Sequence, residues 1–296
     1  MDILPQLLVN AIIAGSIYAL ASVGLSLTYG LLRILNFAHG HMMMVGVYFF
    51  YLCSQELGFN IWLSGGASLL FAIVFSIIAL KVFILPFSRY SFILTFVTTL
   101  ALSNMLESLV SMIFGVNVKS LGSSVSMESY EVAGVFFTPI QVVIVVSALA
   151  ILSFTGFVIH STSLGRKVRA LSQDPFAARS LGISQAKMSY LVFAFATCLA
   201  MYAGVLIGYE TNMQPTMGGS YTIKAFAAMI LGGLGNIWGT LAGSYILGLV
   251  ENLGIGLDFG GYSIPAGYKD AFAFVIILFV LLFKPNGIFK SKGRET

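Results

Sequence analysis

Four basic side chains, Arg166, Lys167, Arg169 and Arg179, face a single acid, Asp174, in the run Gly165–Gly182, GRKVRALSQDPFAARSLG. The sequence on either side is apolar. The chemistry on offer is docking: cations and hydrogen-bond donors, with no nucleophile–base pair beside them. Ser163 caps a short helix, Leu164 to Ser172, with Leu164, Val168 and Leu171 on one face and Arg166 and Arg169 on the other. Asp174–Pro175 reads as an N-cap followed by proline at the first helical position. A second short helix, carrying Ala178, runs to Leu181 and stops at Gly182, with Ser184 capping the next apolar helix. Two readings stand side by side. A basic loop between membrane helices is the ordinary mark of the cytoplasmic side. The ordered helix–cap–proline–helix–glycine pattern points further, to a docking element at 163–184.

Other polar groups lie within apolar stretches. Glu107 is the clearest ionisable residue inside a predicted span, with Asn104 one turn before it on the same face. A carboxylate there either lines a cavity or sits nearer the interface. His39 and His41 flank Gly40 with no acid or cysteine nearby in sequence, so they read as turn-forming and no metal site is expected. Asn36 and Gly40 open a short segment after Arg33, and a second broken segment follows Lys224. Short, glycine-interrupted segments in matching positions of two halves mark substrate paths in other transporters, so Asn36, Gly40, Asn104 and Glu107 are the candidate path residues. Gly235, Gly239 and Gly243 recur every four positions and allow a close helix approach, within one subunit or between two. Ala11, Gly15 and Ala19 make a weaker stripe of this kind. Lys224 and Glu210 bracket a loop and could pair with each other or meet a docking partner.

No catalytic constellation is present: no nucleophile elbow, no HExxH, and no lysine in the glycine-rich LGGLGNIWG that would make it a phosphate loop. An enzyme is not expected, and any ATP chemistry belongs to another chain.

The elements that position these residues are membrane helices. Of the 296 residues, 58% are hydrophobic and 9% charged, against about 25% charged in soluble domains. The net charge of +4 comes with no basic surface interleaved with aromatics, so nucleic acid is not an expected partner; membrane lipid is. Cys53 and Cys198 sit in apolar runs and suggest neither a disulfide framework nor a metal site. The first apolar stretch is too long for a signal peptide and reads as a retained helix. In order, helices are expected within Ile3–Leu32, from Gly40 to Cys53, up to Leu80, at Phe92–Phe114, Pro139–Ile159 and Gln185–Tyr209, in two short runs Ile223–Leu231 and Ile237–Glu251, and at Tyr268–Phe283. The reading is an all-α, polytopic transmembrane bundle of about eight to nine membrane segments, the short ones spanning or re-entrant, forming a single domain over 1–296. Placing the 163–184 element in the cytoplasm also puts Arg33, the Lys81–Tyr90 turn and the basic tail (Lys284, Lys290, Lys292, Arg294) inside. The loops with Glu56, Lys119, Glu128, Glu131 and Asp258 then fall outside, as does the N-terminus.

An ordered set of short motifs carries a resemblance. It comprises Tyr29-Gly30-Leu31, Ile34 to Gly40 (ILNFAHG), Gly165-Arg166, Arg169-Ala170, Asp174-Pro175, Ala178, Gly182-Ile183, Lys224 to Ala228 (KAFAA), Gly232 to Gly235, Gly248 to Glu251 and Lys284 to Gly287 (KPNG). Together they resemble the permease subunit of branched-chain amino acid ABC importers, specifically the shorter, H-type subunit, over nearly the whole chain. The resemblance implies a bacterial inner-membrane importer. A second, homologous permease subunit would complete the path, two cytoplasmic ATPase subunits would drive it with ATP and Mg2+, and a periplasmic substrate-binding protein would deliver the solute. No cofactor would be bound by this chain. Gly165–Gly182 matches the coupling loop that seats on the ATPase. Two departures stand out: Lys284 where the family usually has arginine, and Glu107 where an uncharged polar residue is usual. Relatives carry aliphatic or other amino acids, short amides or urea, so the solute class stays open. A self-sufficient channel or ion-coupled secondary transporter is the alternative, and it should show several buried charges rather than Glu107 alone.

Overall fold

The computed structural model describes residues 3–122, 129–132, 134–256, 265–284 and 287–289. The expectations for Glu128, Asp258, Pro285, Asn286 and the tail residues Lys290, Lys292 and Arg294 lie outside these.

The bundle is built around α1 (Leu4–Leu32), which is apolar on every side and buried along most of its length. A helix with no polar face belongs at the centre of a bundle. Among the described residues, five helices are long and apolar enough to cross a membrane: α1, the continuous helix Ile61–Ser88 (α3, Ile61–Ile78, running on into α4, Leu85–Ser88), α5 (Phe92–Phe114), α6 (Pro139–Ser161) and α9 (Gln185–Glu210). Two more, α10 (Met217–Gly232) and α11 (Ile237–Gly256), form a pair bent by 119°. The remaining helices are α2 (His39–Tyr51), α7 (Ser163–Gln173), α8 (Pro175–Ser180) and α12 (Lys269–Phe283). Ile61–Ser88, α5, α6 and α12 turn apolar side chains outward, among them Leu70, Ile93, Val146 and Leu278. Such a surface suits lipid.

Small residues and hydroxyls bring α11 onto α1. A side chain at Gly15 would meet Tyr245, and one at Gly248 would meet the Ala11 carbonyl at 2.7 Å. Three hydroxyl pairs then run in antiparallel register: Ser16 with Tyr245 (3.1 Å), Ser22 with Ser244 (2.6 Å) and Ser26 with Thr240 (3.1 Å). Away from water such bonds hold helices together where apolar burial cannot, because lipid is equally apolar.

Several boundaries differ from the sequence reading. Lys81 is not in a turn: a π-helical stretch, Ala79–Ile84, carries the helix on to Ser88, and the turn is confined to Arg89 and Tyr90. The polar loop before α6 holds a two-stranded antiparallel hairpin, β1 (Tyr130–Val132) and β2 (Val135–Phe137), so the fold is not purely helical. It docks on α1 through Gln6, which accepts from Phe136 N at 2.8 Å and donates to Phe136 O at 3.0 Å. Helix α10 starts at Met217, six residues before the expected Ile223, and α11 runs past Glu251 to Gly256.

Two features set the geometry of the interior. Helix α2 does not begin at the level where α1 ends: His39 Nε2 lies 2.9 Å from the carbonyl oxygen of Ala21, part-way along α1. With a rise of about 1.5 Å per residue, α2 therefore starts roughly 16 Å inside the end of α1. The second is the elbow between α10 and α11, where Gly233 (φ +103°) and Gly235 (φ +77°) take backbone conformations that side chains disfavour. Asn236 Oδ1 accepts from Gly239 N at 3.2 Å to start α11, and Ile288 N donates to Leu231 O at 2.9 Å, strapping the chain's last described residues onto the bend.

Candidate functional site: a docking element and a polar face of α5

The 163–184 element folds as two helices in a fixed block. The cap of α7 is Thr162, not Ser163: its Oγ1 accepts from Gly165 N at 3.3 Å. Gly165, not Leu164, takes the first buried place, ahead of Val168 and Leu171. A Cβ at Gly165 would lie 2.6 Å from the Val158 carbonyl oxygen, so only glycine permits this close turn back from α6. Asp174 Oδ1 caps α8 by accepting from Phe176 N (2.9 Å) and Ala177 N (3.1 Å), with Pro175 at its first position. Ala178 is buried and its carbonyl accepts from Ile183 N at 3.1 Å, while Gly182 (φ +80°) closes the helix. Ser184 Oγ then caps α9.

The two arginines read as a free basic face instead turn back on α6. Arg169 donates to the carbonyls of Ile159 and of His160 (3.3 Å), and Arg166 donates to that of Ser161 (3.4 Å). A helix leaves its last four carbonyls unsatisfied and its C-terminus partly negative, so two guanidinium groups are well placed there. They clamp α7 to α6. What the block presents outward is Lys167, Arg179, and two large apolar side chains, Phe176 (75% exposed) and Leu181 (81% exposed).

The candidate path residues separate into two kinds. Asn36 and Gly40 are buried: Asn36 Oδ1 accepts from Ala38 N at 3.1 Å, and Gly40 N donates to Thr222 Oγ1 at 3.0 Å, where α2 crosses α10 without room for a side chain. They shape the start of α2. Asn104 is exposed, and Glu107, its side chain 34% exposed, meets His41 Nε2 through Oε2 at 3.2 Å. His41 therefore has an acid partner that chain order hid. His39 is held by Ala21, as a turn-forming residue would be. Asn104 belongs to an exposed face with Val97, Ala101 and Ser108, four residues at helical spacing.

The glycine stripe splits as well. Gly239 and Gly243 back onto the Gly232 and Ala228 carbonyls of α10 within the chain, while Gly235 serves the elbow against Gly30. Lys224 and Glu210 do not pair. Glu210 accepts from Gln141 at 3.0 Å, whereas Lys224, buried in α10, meets Asp270 (2.9 Å), Glu251 (3.5 Å) and the Tyr18 hydroxyl (3.1 Å). This cluster escaped the sequence reading because α10 was begun too late, which left Lys224 at a helix edge. Among the described residues no three His, Cys, Asp or Glu side chains gather as metal ligands would.

Comparison with known proteins gives concordant results. Residues 7–281 match the family described as "Branched-chain amino acid transport system / permease component". The chain is 32% identical over 298 residues to the high-affinity branched-chain amino acid transport system permease protein BraD of Pseudomonas aeruginosa, covering 96% of this chain and 94% of that one. It is 31% identical over 297 residues to the corresponding protein LivH of Escherichia coli K12, with the same coverage. Among solved structures, a chain of "PsaBC from Streptococcus pneumoniae in complex with Fab" aligns over 97% of this chain and 93% of that one, with a TM-score of 0.53 and 14% identity, which is a likeness of fold.

Proposed function

Since the chain belongs to the branched-chain amino acid transport permease family, we propose that it is the transmembrane subunit of an ABC importer driven by separate ATPases. That it is a multi-pass membrane transport protein and not an enzyme follows from the family and the apolar helices. The chain makes about eight to nine membrane segments, with α2 and the α10–α11 pair as short ones, in a bacterial inner membrane, N-terminus outside and C-terminus inside. It pairs with a homologous permease, receives solute from a periplasmic binding protein, and moves a branched-chain or related amino acid. Urea or a short amide is the alternative solute.

The observation that carries the coupling role is the α7–α8 block. It is clamped to α6 by Arg166 and Arg169 and leads within a few residues into α9, whose first turn Ser184 caps, so a push on it reaches both long helices. Its exposed Phe176 and Leu181 are the groups an ATPase groove would bury. Closure of the ATPases on ATP would then move α6 and α9 together and switch access.

One observation favours the second reading, an ion-coupled transporter: Lys224 and Glu251 are charges inside the helix bundle beyond Glu107, with the half-exposed Asp270 paired to Lys224. Coupling ions need groups that can be exposed in turn. Glu251 has no exposure and Lys224 almost none, which suits a fixed internal tie.

Affinity purification from the native membrane in mild detergent, with mass spectrometry of the associated chains, tests the proposal. Two ATPase subunits and a longer permease are expected. ATPases with this permease alone would replace the heterodimer by a homodimer. An active species without any ATPase would overturn the importer reading in favour of the second.

A further inference from the structure

One strip of the exposed surface of α5, a polar one flanked by the outward apolar Ile93, Met105 and Met112, does not suit lipid. Val97, Ala101, Asn104 and Ser108 lie along it, with Glu107 at its margin. Hydrocarbon offers Asn104 and Ser108 no hydrogen-bond partners and Glu107 no solvation, so within a membrane this face belongs against water or protein. The neighbouring imidazole fixes the position of the carboxylate there. His41 is almost wholly buried, wedged against Gly218, where a Cβ would lie 2.7 Å from the ring. Its Nε2 faces Glu107 Oε2 and its Nδ1 has no partner among the described residues. A second N–H, at Nδ1, would be a buried donor with no acceptor, whereas an empty lone pair there is far less costly. Nε2 is thus the His41 nitrogen that donates, and its acceptor is the Glu107 carboxylate. One carboxylate oxygen is held, and the Glu107 side chain remains 34% exposed, one turn from Asn104.

We propose that Glu107, oriented by His41, is the point on the solute path that receives the ammonium group of the solute in transit. This rests on the reading above that the chain is an importer permease, with the α5 face lining its path. The site takes a solute with an ammonium group, whether the α-ammonium of an amino acid or a side-chain ammonium, and works against a solute that is only anionic.

The test uses the assembled importer in proteoliposomes, with Cys53→Ala and Cys198→Ala as background and a single cysteine at Asn104→Cys. Its reaction rates with cationic aminoethyl methanethiosulfonate and anionic sulfonatoethyl methanethiosulfonate are compared. A focused negative charge one turn away should favour the cationic reagent by on the order of tenfold, and Glu107→Gln should abolish that preference. If Glu107→Gln does not assemble, the Ala101→Cys probe in the Glu107 background serves instead, and its preference should be several-fold smaller than at Asn104→Cys. Excess L-leucine should protect Asn104→Cys if the α-ammonium is bound, and L-lysine alone if a side-chain ammonium is. The deaminated acid 2-ketoisocaproate should not protect. A rate ratio indifferent to Glu107, equal protection by leucine and its keto acid, or protection by none of them would overturn the ammonium site while leaving the importer intact. If neither reagent reacts in a complex that pumps solute, the α5 face is dry, and its place on the path falls with the site. A complex that does not pump with ATP fails at the importer reading itself.

Discussion

Lys224 on α10 and Glu251 on α11 hold opposite charges 3.5 Å apart inside the helix bundle. The Tyr18 hydroxyl of α1 donates to the same Glu251 oxygen at 2.7 Å, and Asp270 at the start of α12 takes Lys224 at 2.9 Å. One cluster thus ties four helices, including both arms of the bent pair. Removing one partner strands a buried charge, which costs about 3–5 kcal/mol where it has been measured in other proteins. Lys224→Met should therefore lower the thermal stability of the detergent-solubilised complex markedly, and adding Glu251→Gln should restore much of it. An unchanged melting temperature in the single variant would show that the cluster is not holding the bundle.

The Gly165 contact makes a steric prediction. With the Val158 carbonyl 2.6 Å from the position of an added Cβ, Gly165→Val must displace α7 from α6. Overpacking of this kind costs about 1–3 kcal/mol, but its main effect should be on the pose of the docking block. The variant should insert normally and lose ATPase subunits on purification. Wild-type assembly would contradict the fixed-block description.

Phe176 and Leu181 separate docking from folding. Both are exposed, so Phe176→Ser with Leu181→Ser should leave the thermal stability of the isolated chain within about 0.5 kcal/mol of wild type. ATP-driven uptake should fall at least tenfold. Charge reversal at Arg169 should behave differently, because it removes bonds to the end of α6 and so lowers stability and coupling together. Equal behaviour of the two variants in a melting assay would remove that distinction.

At the elbow, Gly239 faces the Gly232 carbonyl across the bend. Gly239→Leu should open the α10–α11 pair and reduce the melting temperature of the complex by several degrees. A normal melting curve would mean that α11 can move away at little cost.

How much of this was legible in the chain depended on whether the signal was local. The caps at Asp174 and Ser184, Pro175, Gly182 and the bounds Phe92–Phe114 were readable because each is written within a few residues. The glycines of the elbow were visible for the same reason. Partners across the bundle were not: nothing in sequence joins His41 to Glu107, 66 residues apart, or Ser22 to Ser244, 222 apart. The bonds of Arg169 to α6 were not legible either, because an arginine on the polar face of a helix gives no sign that a neighbouring helix ends within its reach. The start of α10 is hidden because Gly218, Gly219, Ser220 and Thr222 look like a loop, yet two of them, Gly218 and Thr222, are what let α10 approach α2.

The most direct test of the central claim is solute uptake by proteoliposomes containing this chain with the subunits that copurify with it. We expect L-leucine accumulation that requires the binding protein outside and hydrolysable ATP on the ATPase side, and that disappears when the ATPase subunits are omitted. Accumulation by this chain alone, driven by a proton or sodium gradient and indifferent to ATP, would contradict the account.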